Sequence, residues 1–411
     1  MKELRIAIVG TGMISSRHMT VWSKIPGVKV IAGCDIVRER VDSWGEKYGI
    51  DEKDRYVDFR EMLKRDDIDA VDVCVHNNLH TSVSCAVMEA GFPCYSEKPM
   101  AGTYADAKIL YDAQKKYGQK LQVQISSIYN LQTRLSKKMV EEGKLGKIYH
   151  ARSVGHRRQG RPGFDMPMFT ADFCTKEIGG HGALFDLGIY HLAQMLYIMG
   201  MPELESVYGM ASAEYYKDPR ILLQGRKFEV EDLGVGLARF TGGISMDIYE
   251  DWAMHIDDVG SSFIAGSHGG LKLLDVDTSG GPLAAERSGM IIGGGSVQIP
   301  SVEFYGVENG NLVKHEIDCQ LNGMSEEMMD PTVVPYNDNQ RHWAAYLRGE
   351  LTDETRIDSP YIAMQTALLS EGIFLSDQLG RSVTADEIKE LSVSMAIRHQ
   401  ETPFGIIDYD F

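Results

Sequence analysis

Residues 4–18 read LRIAIVGTGMISSRH, a β-rich apolar run that enters a glycine turn and continues as a helix. Gly10 and Gly12 fill the first two positions of a GxGxxG pattern, and Ser15 stands in the third. A strand that feeds such a turn lets the backbone approach a pyrophosphate, whose negative charge lies at the N-terminus of the following helix. Met13 and Ile14, the first helical residues, then lie beside the cofactor, and the helix is expected over Met13 to Ile25. A second strand follows, VKVIAGCD, and its last residue, Asp35, stands 23 positions beyond Gly12. An acid there can take the ribose hydroxyls and repels a 2'-phosphate, so NAD is expected rather than NADP. The competing role for Asp35 is an N-cap before IVRERVDSW. Glycines and acid in register favour the cofactor.

The alternation continues outward. DAVDVCV, PCYS and KLQVQI read as strands, while TSVSCAVMEAG and TYADAKILYDAQKKYG read as helices. Strands alternating with helices predict a doubly wound parallel sheet of Rossmann type. Ligands of such sheets bind beyond the carboxyl ends of the strands. HNNLH (76–80) and SEKP (96–99) fall there. Glu97 and Lys98 directly follow the strand PCYS, which sets them beside the nicotinamide half of a dinucleotide. A lysine so placed can hydrogen-bond a substrate hydroxyl and ease loss of its proton, while the adjacent acid holds backbone or ribose. A surface Glu–Lys pair, the alternative, contributes little.

The whole chain has 411 residues, which suits two domains: 1–127 for the dinucleotide and 128–411 for substrate binding and oligomer contacts. Its formal charge of -17 argues against nucleic acid, which is held by clustered Lys and Arg. Small substrates fit better. The N-terminus lacks the pattern of a signal peptide and no run has the length of a membrane span, so a cytoplasmic protein with no membrane partner is expected. Six cysteines without a CxxC pair read as free thiols.

The motifs GTGMISSRH, CD, HNNLH and EKP resemble those of the glucose-fructose oxidoreductase and inositol dehydrogenase family (Gfo/Idh/MocA), and the resemblance runs over nearly the whole chain. It implies that Lys98 is the catalytic or substrate-orienting residue. The family's TPNxxH appears here as HNNLH, so Asn78 and His80 match as cofactor-side residues, whereas His76 and Asn77 depart from Thr-Pro. The resemblance also implies a second domain built on a large, mainly antiparallel open sheet that binds substrate and joins subunits in a homo-oligomer. YHARSVG, VGLARF, SMDIYEDW and SVEFYGV read as its strands, after a helix at LSKKMVEEGKLG.

In that half the informative stretch is GGHGALFDLGIYHLAQMLYIMG (179–200). It reads as one helix from about Ala183, with Leu184, Leu187, His191 and Met195 on an apolar stripe and Asp186, Tyr190 and Gln194 on a neighbouring face. Asp186 and Tyr190 stack one turn apart, an acid supporting a phenol able to take a hydroxyl proton. The family's DxGxH segment reads DLGIY here, so Tyr190 inherits the acid/base role by position. His191 on its stripe reads as a hydrogen-bonded core histidine that competes for a substrate role. His181, between glycines that allow close approach, is the other histidine candidate. The spacing of His181, Asp186 and His191 does not bring them together as ligands, so no metal is expected.

GHRRQGRP (155–162) is a basic cluster in which Arg157 could receive a polar substrate group, although a solvated loop or subunit salt bridges are the favoured explanation. SPYIAMQTALLSEGIFLSDQLG predicts a core helix with Ser359 as N-cap and Pro360 first inside. Together these readings predict an NAD-dependent dehydrogenase acting on a secondary ring hydroxyl, with a glucoside oxidised to a 3-keto glucoside favoured by analogy. The long insertion AEYYKDPRILLQGRKFEVED (213–232) suits a bulkier ligand. Alternatives are an inositol or other polyol dehydrogenase, a redox-neutral glycosidase that retains NAD, and a non-catalytic NAD-sensing regulator.

Overall fold

The structure is a computed structural model that describes residues 3–166, 169–214, 226–256, 258–274, 301–319 and 338–411. The chain packs as two compact units, one formed by Met1–Gln124, Pro335–Met364 and Val393–Phe411, the other by Ile125–Val334 and Gln365–Ser392. Residues 335–364 and 393–411, which the sequence reading groups with the second half, thus pack with the first.

The first unit includes the strands β1 (Leu4–Val9), β2 (Val28–Cys34), β3 (Arg55–Tyr56), β4 (Ala70–Val73), β5 (Cys94–Ser96) and β6 (Leu121–Val123). They form one sheet in the order β3-β2-β1-β4-β5-β6, every pair parallel. That order reverses direction beside β1, and the reversal opens the crevice used by dinucleotides in doubly wound sheets. Apolar runs such as AIV and AVDV are buried on both faces because helices α1 (Met13–Trp22), α2 (Arg38–Tyr48), α3 (Phe59–Met62), α4 (His80–Glu89) and α5 (Tyr104–Lys116) cover the sheet. Helix α1 ends at Trp22, one turn short of the expected Ile25.

The returning segments brace this unit. Trp343, Ala344 and Tyr346 of the helix Asn339–Leu347 join the core cluster of Leu4, Ile6, Ile8 and Trp22. Asp106 on α5 accepts hydrogen bonds from the amides of Met395 (2.8 Å) and Ala396 (3.0 Å), and the Ile397 amide donates to the Asn78 carbonyl at 2.9 Å. The helix Ser359–Leu379 is present as expected, but its cap differs. Asp358 Oδ1 accepts from the Tyr361 amide at 3.3 Å, while the Ser359 hydroxyl accepts from the β6 amide of Val123 at 3.0 Å. The serine satisfies a neighbouring strand's donor and leaves the capping to the acid before it.

The second unit includes the helices α6 (Leu131–Glu141), α7 (Ala183–Asp186) and α8 (Gly188–Ile198). Its strands are β7 (Ile148–Gly155), β8 (Leu204–Ser212), β9 (Leu233–Phe240), β10 (Ile244–Asp251), β11 (Phe263–Gly266), β12 (Gly269–Leu274), β13 (Ser301–Glu308), β14 (Asn311–Asp318) and β15 (Val383–Thr384). They build a nine-stranded open sheet, β14-β13-β12-β11-β7-β10-β9-β8-β15, in which β7 and β10 run parallel and every other pair is antiparallel. The predicted α/β fold with a second, mainly antiparallel sheet is therefore the observed one. Residues 215–225 of the insertion at 213–232 lie outside the described residues.

Candidate active site

Candidate residues fall in both units, and each set takes its geometry from its own unit. In the first, the glycine turn joins β1 to α1. Gly10 has φ +92°, and a Cβ there would stand 2.3 Å from the Cys74 carbonyl oxygen at the end of β4, so this position admits no side chain. Gly12 is the N-cap of α1 and makes no side-chain cap bond, and a Cβ on it would meet nothing within 4 Å. Bare backbone at an uncapped helix start is the cradle that a pyrophosphate needs. The residue in the third glycine position, Ser15, is fully buried and returns its hydroxyl to the Gly12 carbonyl at 2.6 Å, closing the turn that a glycine would leave loose. Met13 is exposed, whereas Ile14 packs against the core cluster.

Asp35 ends β2 as expected. One carboxylate oxygen accepts from the Thr11 amide (3.0 Å) and hydroxyl (3.3 Å), the other from the Val37 amide (3.0 Å). Helix α2 begins only at Arg38, with Val37 as its N-cap residue, so Asp35 ties the glycine turn to the end of β2 and is not the cap of α2. The residues present therefore fit NAD: a side-chain-free turn, an uncapped helix start and an oriented acid at the second strand.

Beyond β4 and β5 lie the other predicted groups. Asn77 and Asn78 are buried in the turn before α4. His80 is also buried, with Nδ1 2.6 Å from the Pro99 carbonyl and Nε2 3.0 Å from the Val75 carbonyl. Burial lowers its pKa, so the neutral ring donates its one N–H to one of these two carbonyls and sits between the two strand-end loops. Glu97 turns inward: Oε1 lies 2.7 Å from His18 Nε2, and Oε2 accepts from the Lys98 amide at 2.9 Å. Burial opposes its charge, but the hydrogen bond and charge of His18 hold its carboxyl below the usual range. Glu97 thus holds backbone, and Lys98 follows it half-buried at the strand end.

In the second unit, the predicted single helix is two. Helix α7 stops at Asp186 and α8 starts at Gly188, with the Tyr190 amide donating to the Leu187 carbonyl at 3.0 Å in a three-residue turn. Two carboxylates pack against these short helices. The buried Glu231 carboxylate accepts from the Gly182 (2.8 Å) and Leu184 (2.9 Å) amides and so caps α7 independently. Gly188 packs against Glu250, where a Cβ would come within 3.3 Å of its Cγ. Asp186 and Tyr190 therefore flank a junction, which alters the stacking expected of one continuous helix. Asp186 is nearly buried, with Oδ2 accepting from Trp252 Nε1 at 3.2 Å, and Tyr190 is half-buried with its carbonyl accepting from the Ser127 hydroxyl at 2.6 Å.

Leu184, Leu187 and Met195 are buried as the stripe predicts, and His191, half-buried, makes a hydrogen bond. Its Nδ1 lies 3.0 Å from Oε2 of the fully buried Glu250, which also accepts from the Ser153 hydroxyl. Gly155 makes room for that pair, since a Cβ there would stand 2.0 Å from the carboxylate and 2.1 Å from the ring. His181 lies between the rings of Phe185 (centroids 4.6 Å apart) and Phe374 (4.4 Å), and burial there, with the charge of Lys176, pushes its pKa down to about 4. It is a neutral imidazole at physiological pH. In the basic cluster, Arg157 donates to the Gly160 carbonyl at 3.1 Å, while Arg161 is buried against Asp165. Part of GHRRQGRP is thus internal scaffolding.

Sequence reasoning passed over His18, Asp72, Glu231, Glu250 and Trp252. Their signal was present: acids set inside apolar runs, as in AVDVCV and SMDIYEDW, must find a buried partner or carry a raised pKa. Burial indeed pushes the Glu231 carboxyl up to about 7.

Residues 4–125 match the sequence model of the oxidoreductase family described as an NAD-binding Rossmann fold, and residues 133–272 match the GFO/IDH/MocA C-terminal domain. Among characterised relatives, a D-glucoside 3-dehydrogenase of Escherichia coli (strain K12) is 31% identical over 205 residues, 50% of this chain and 56% of that protein. An inositol 2-dehydrogenase of Salmonella paratyphi B (strain ATCC BAA-1250 / SPB7) is 32% identical over 146 residues, 35% of this chain and 43% of that protein. The chain thus spans about half the length of the curated relatives it matches. In three dimensions, a crystal structure of an aldose-aldose oxidoreductase from Caulobacter crescentus complexed with glycerol superposes with a TM-score of 0.70 at 21% identity, covering 93% of this chain and 100% of that one, a likeness of fold. With both family domains matched in order along one chain, the protein belongs to the GFO/IDH/MocA family of oxidoreductases.

Proposed function

We propose that the protein is an NAD-dependent dehydrogenase that oxidises a secondary ring hydroxyl of a sugar or glycoside, a glucoside to its 3-keto form being the favoured reaction. The observation that carries this reading is Lys98: it leaves the carboxyl end of β5 with its amide held by Glu97, on a unit whose glycine turn and Asp35 fit a dinucleotide. Lys98 hydrogen-bonds the reacting hydroxyl, and its positive charge stabilises the alkoxide that forms. The Tyr190 phenol takes the hydroxyl proton. Asp186, with one oxygen held by Trp252, keeps a negative charge near that phenol and favours the proton's arrival. When bound, NAD supplies the hydride acceptor. His181 and Arg157 serve substrate recognition, the first as a neutral ring and the second as a cation.

The names of the relatives support both a glucoside and an inositol as substrate, and the glucoside is preferred because the D-glucoside 3-dehydrogenase match is the longer of the two. We read residues 1–127 as the dinucleotide half and 128–411 as the substrate half in function, the protein as cytoplasmic, and the assembly as a homo-oligomer. Exposed Tyr208 and Leu237, directly paired across β8 and β9, with exposed Met210 two residues on, support self-association through the open sheet. Among the described residues no helix is long and apolar enough to cross a membrane.

Incubation with NAD and a panel of glucosides and inositols tests the proposal, with NADH absorbance and keto-sugar products followed together. NADH formed in step with a 3-keto glucoside is the expected result. Aglycone release without NADH would establish the redox-neutral glycosidase instead, and NAD binding without any product would establish the regulator.

A further inference from the structure

His18 lies on α1, six residues beyond Gly12, and is 2% exposed. Both of its ring nitrogens face carboxylates. Nδ1 lies 2.9 and 3.1 Å from the two oxygens of Asp72, a residue buried within strand β4, and Nε2 lies 2.7 Å from Oε1 of Glu97. A neutral imidazole carries one N–H and one lone pair, so either tautomer would point a lone pair at a carboxylate oxygen within hydrogen-bond distance. A protonated ring donates on both sides.

The remaining neighbours agree with that assignment. Trp22 Nε1 donates to Asp72 Oδ2 at 2.7 Å, the Cys74 thiol lies 3.4 Å from Asp72 Oδ1 and 3.3 Å from the ring, and Tyr95 packs edge-on at 5.6 Å. Gln340 Nε2 donates to the His18 carbonyl at 3.0 Å and steadies the helix that carries the ring. Burial works against a charged imidazole here, but the Asp72 carboxylate above all raises the pKa well beyond the ordinary histidine range.

We propose that His18, as an imidazolium clamped between Asp72 and Glu97, is the positioning residue for Lys98. The chain of contacts runs from β4 through α1 to the loop after β5. Asp72 orients the ring, the ring fixes Glu97, and the second oxygen of Glu97 holds the Lys98 amide, which sets the direction in which the lysine leaves the strand. Without the imidazolium, the buried Glu97 carboxylate loses the hydrogen bond and the charge that chiefly offset its burial, and it must take a proton or turn away. Either response loosens the Lys98 amide. The inference rests on the reading of Lys98 as the group that meets the substrate.

Three measurements test it. In nitrogen NMR of 15N-histidine-labelled protein, His18 should show both ring nitrogens protonated at a pH where an ordinary histidine has already lost its proton. A neutral tautomer at that pH, or a stoichiometric transition metal bound at His18, Asp72 and Cys74, would overturn the charge assignment. In His18→Gln, the Lys98 amide should lose its protection from hydrogen exchange, and unchanged protection would overturn the chain of contacts. In turnover, His18→Gln and Glu97→Gln should each lower kcat by roughly tenfold or more with NAD affinity kept within about threefold, and the double variant should be no worse than the worse single. Additive losses would mean that His18 does not act through Glu97. Should Lys98→Ala retain full turnover, the reading of Lys98 falls while the NMR and exchange results still stand or fall separately. If His18→Gln does not fold, the labelled wild-type protein and Glu97→Gln carry the test, the latter expected to expose the Lys98 amide by itself.

Discussion

Gly155→Ala puts a single methyl group into the space shared by His191 and Glu250. Its Cβ would stand 2.0 Å from Glu250 Oε2, 2.1 Å from His191 Nδ1 and 2.4 Å from Cε1, all well inside the separation at which carbon contacts become favourable. The backbone has little room to yield, because Gly155 pairs with Glu250 in the ladder between β7 and β10. The side chains must therefore part. His191 is half-buried and can swing outward, but Glu250 is fully buried and keeps only the Ser153 hydroxyl at 3.3 Å. A buried carboxylate that loses its hydrogen-bond partner costs about 1–3 kcal/mol, and more when it is charged. The expected loss in urea unfolding at neutral pH, followed by circular dichroism and tryptophan fluorescence, is of that size. Two refinements make the reasoning testable beyond the bare number. Burial raises the Glu250 pKa above its ordinary value, so lowering the pH toward the acid range protonates the orphaned carboxyl and should narrow the gap between variant and wild type. Gly155→Ala combined with Glu250→Gln should lose less than the sum of the single changes, since the neutral amide leaves no uncompensated charge. A loss below about 1 kcal/mol, or one that does not shrink with acid, would show that the pair is not held as described.

Lys98→Ala should collapse turnover while leaving NAD affinity nearly unchanged, and a parallel loss of NAD binding in a fluorescence titration would count against its role at the substrate. Tyr190→Phe should cost on the order of a hundredfold in kcat, whereas a mild effect beside a severe one for His191→Ala or His181→Ala would move the proton acceptor to that histidine. Asp35→Asn should improve the affinity for NADP relative to NAD by about tenfold, because the charge that repels a 2'-phosphate is gone; an unchanged ratio would remove Asp35 from the ribose end. His181 contributes a pH dependence of stability with a defined sign. Its folded pKa, about 4, lies below that of an ordinary histidine, so the stability is fully present above about pH 6.5 and is lost as the pH falls toward 4. His181→Leu should flatten that acid limb in urea midpoints measured across the range, and an unaltered slope would show that the ring titrates freely.

Five strands of the first sheet could be read from the chain because they are largely buried and stand between helices, which makes apolar runs alternate with amphipathic ones, whereas the two-residue β3 carries no such run. Gly10 was legible for the same reason: its positive φ and the carbonyl against it leave glycine as the residue that fits. Local order also located Asp35 at the end of β2 and Lys98 at the end of β5, since a strand's last residue is a one-dimensional property. The junction at Leu187 was not legible. Helical spacing in 179–200 is unbroken, and the two carboxylates packed against this segment, Glu231 and Glu250, lie 44 and 63 residues beyond Leu187. His191 shifted from apolar stripe to a hydrogen bond with Glu250.

The sequence by itself determined the two kinds of sheet, the glycine turn and the strand ends at which chemistry can occur, because these follow from periodicity and from backbone limits that act over a few residues. Tertiary structure alone decided which group partners each buried acid: His18 for both Asp72 and Glu97, His191 for Glu250, and the Trp252 N–H for Asp186. A buried charge is tolerable only with a partner at hydrogen-bond distance, and that partner comes from whichever strand or helix the fold lays alongside.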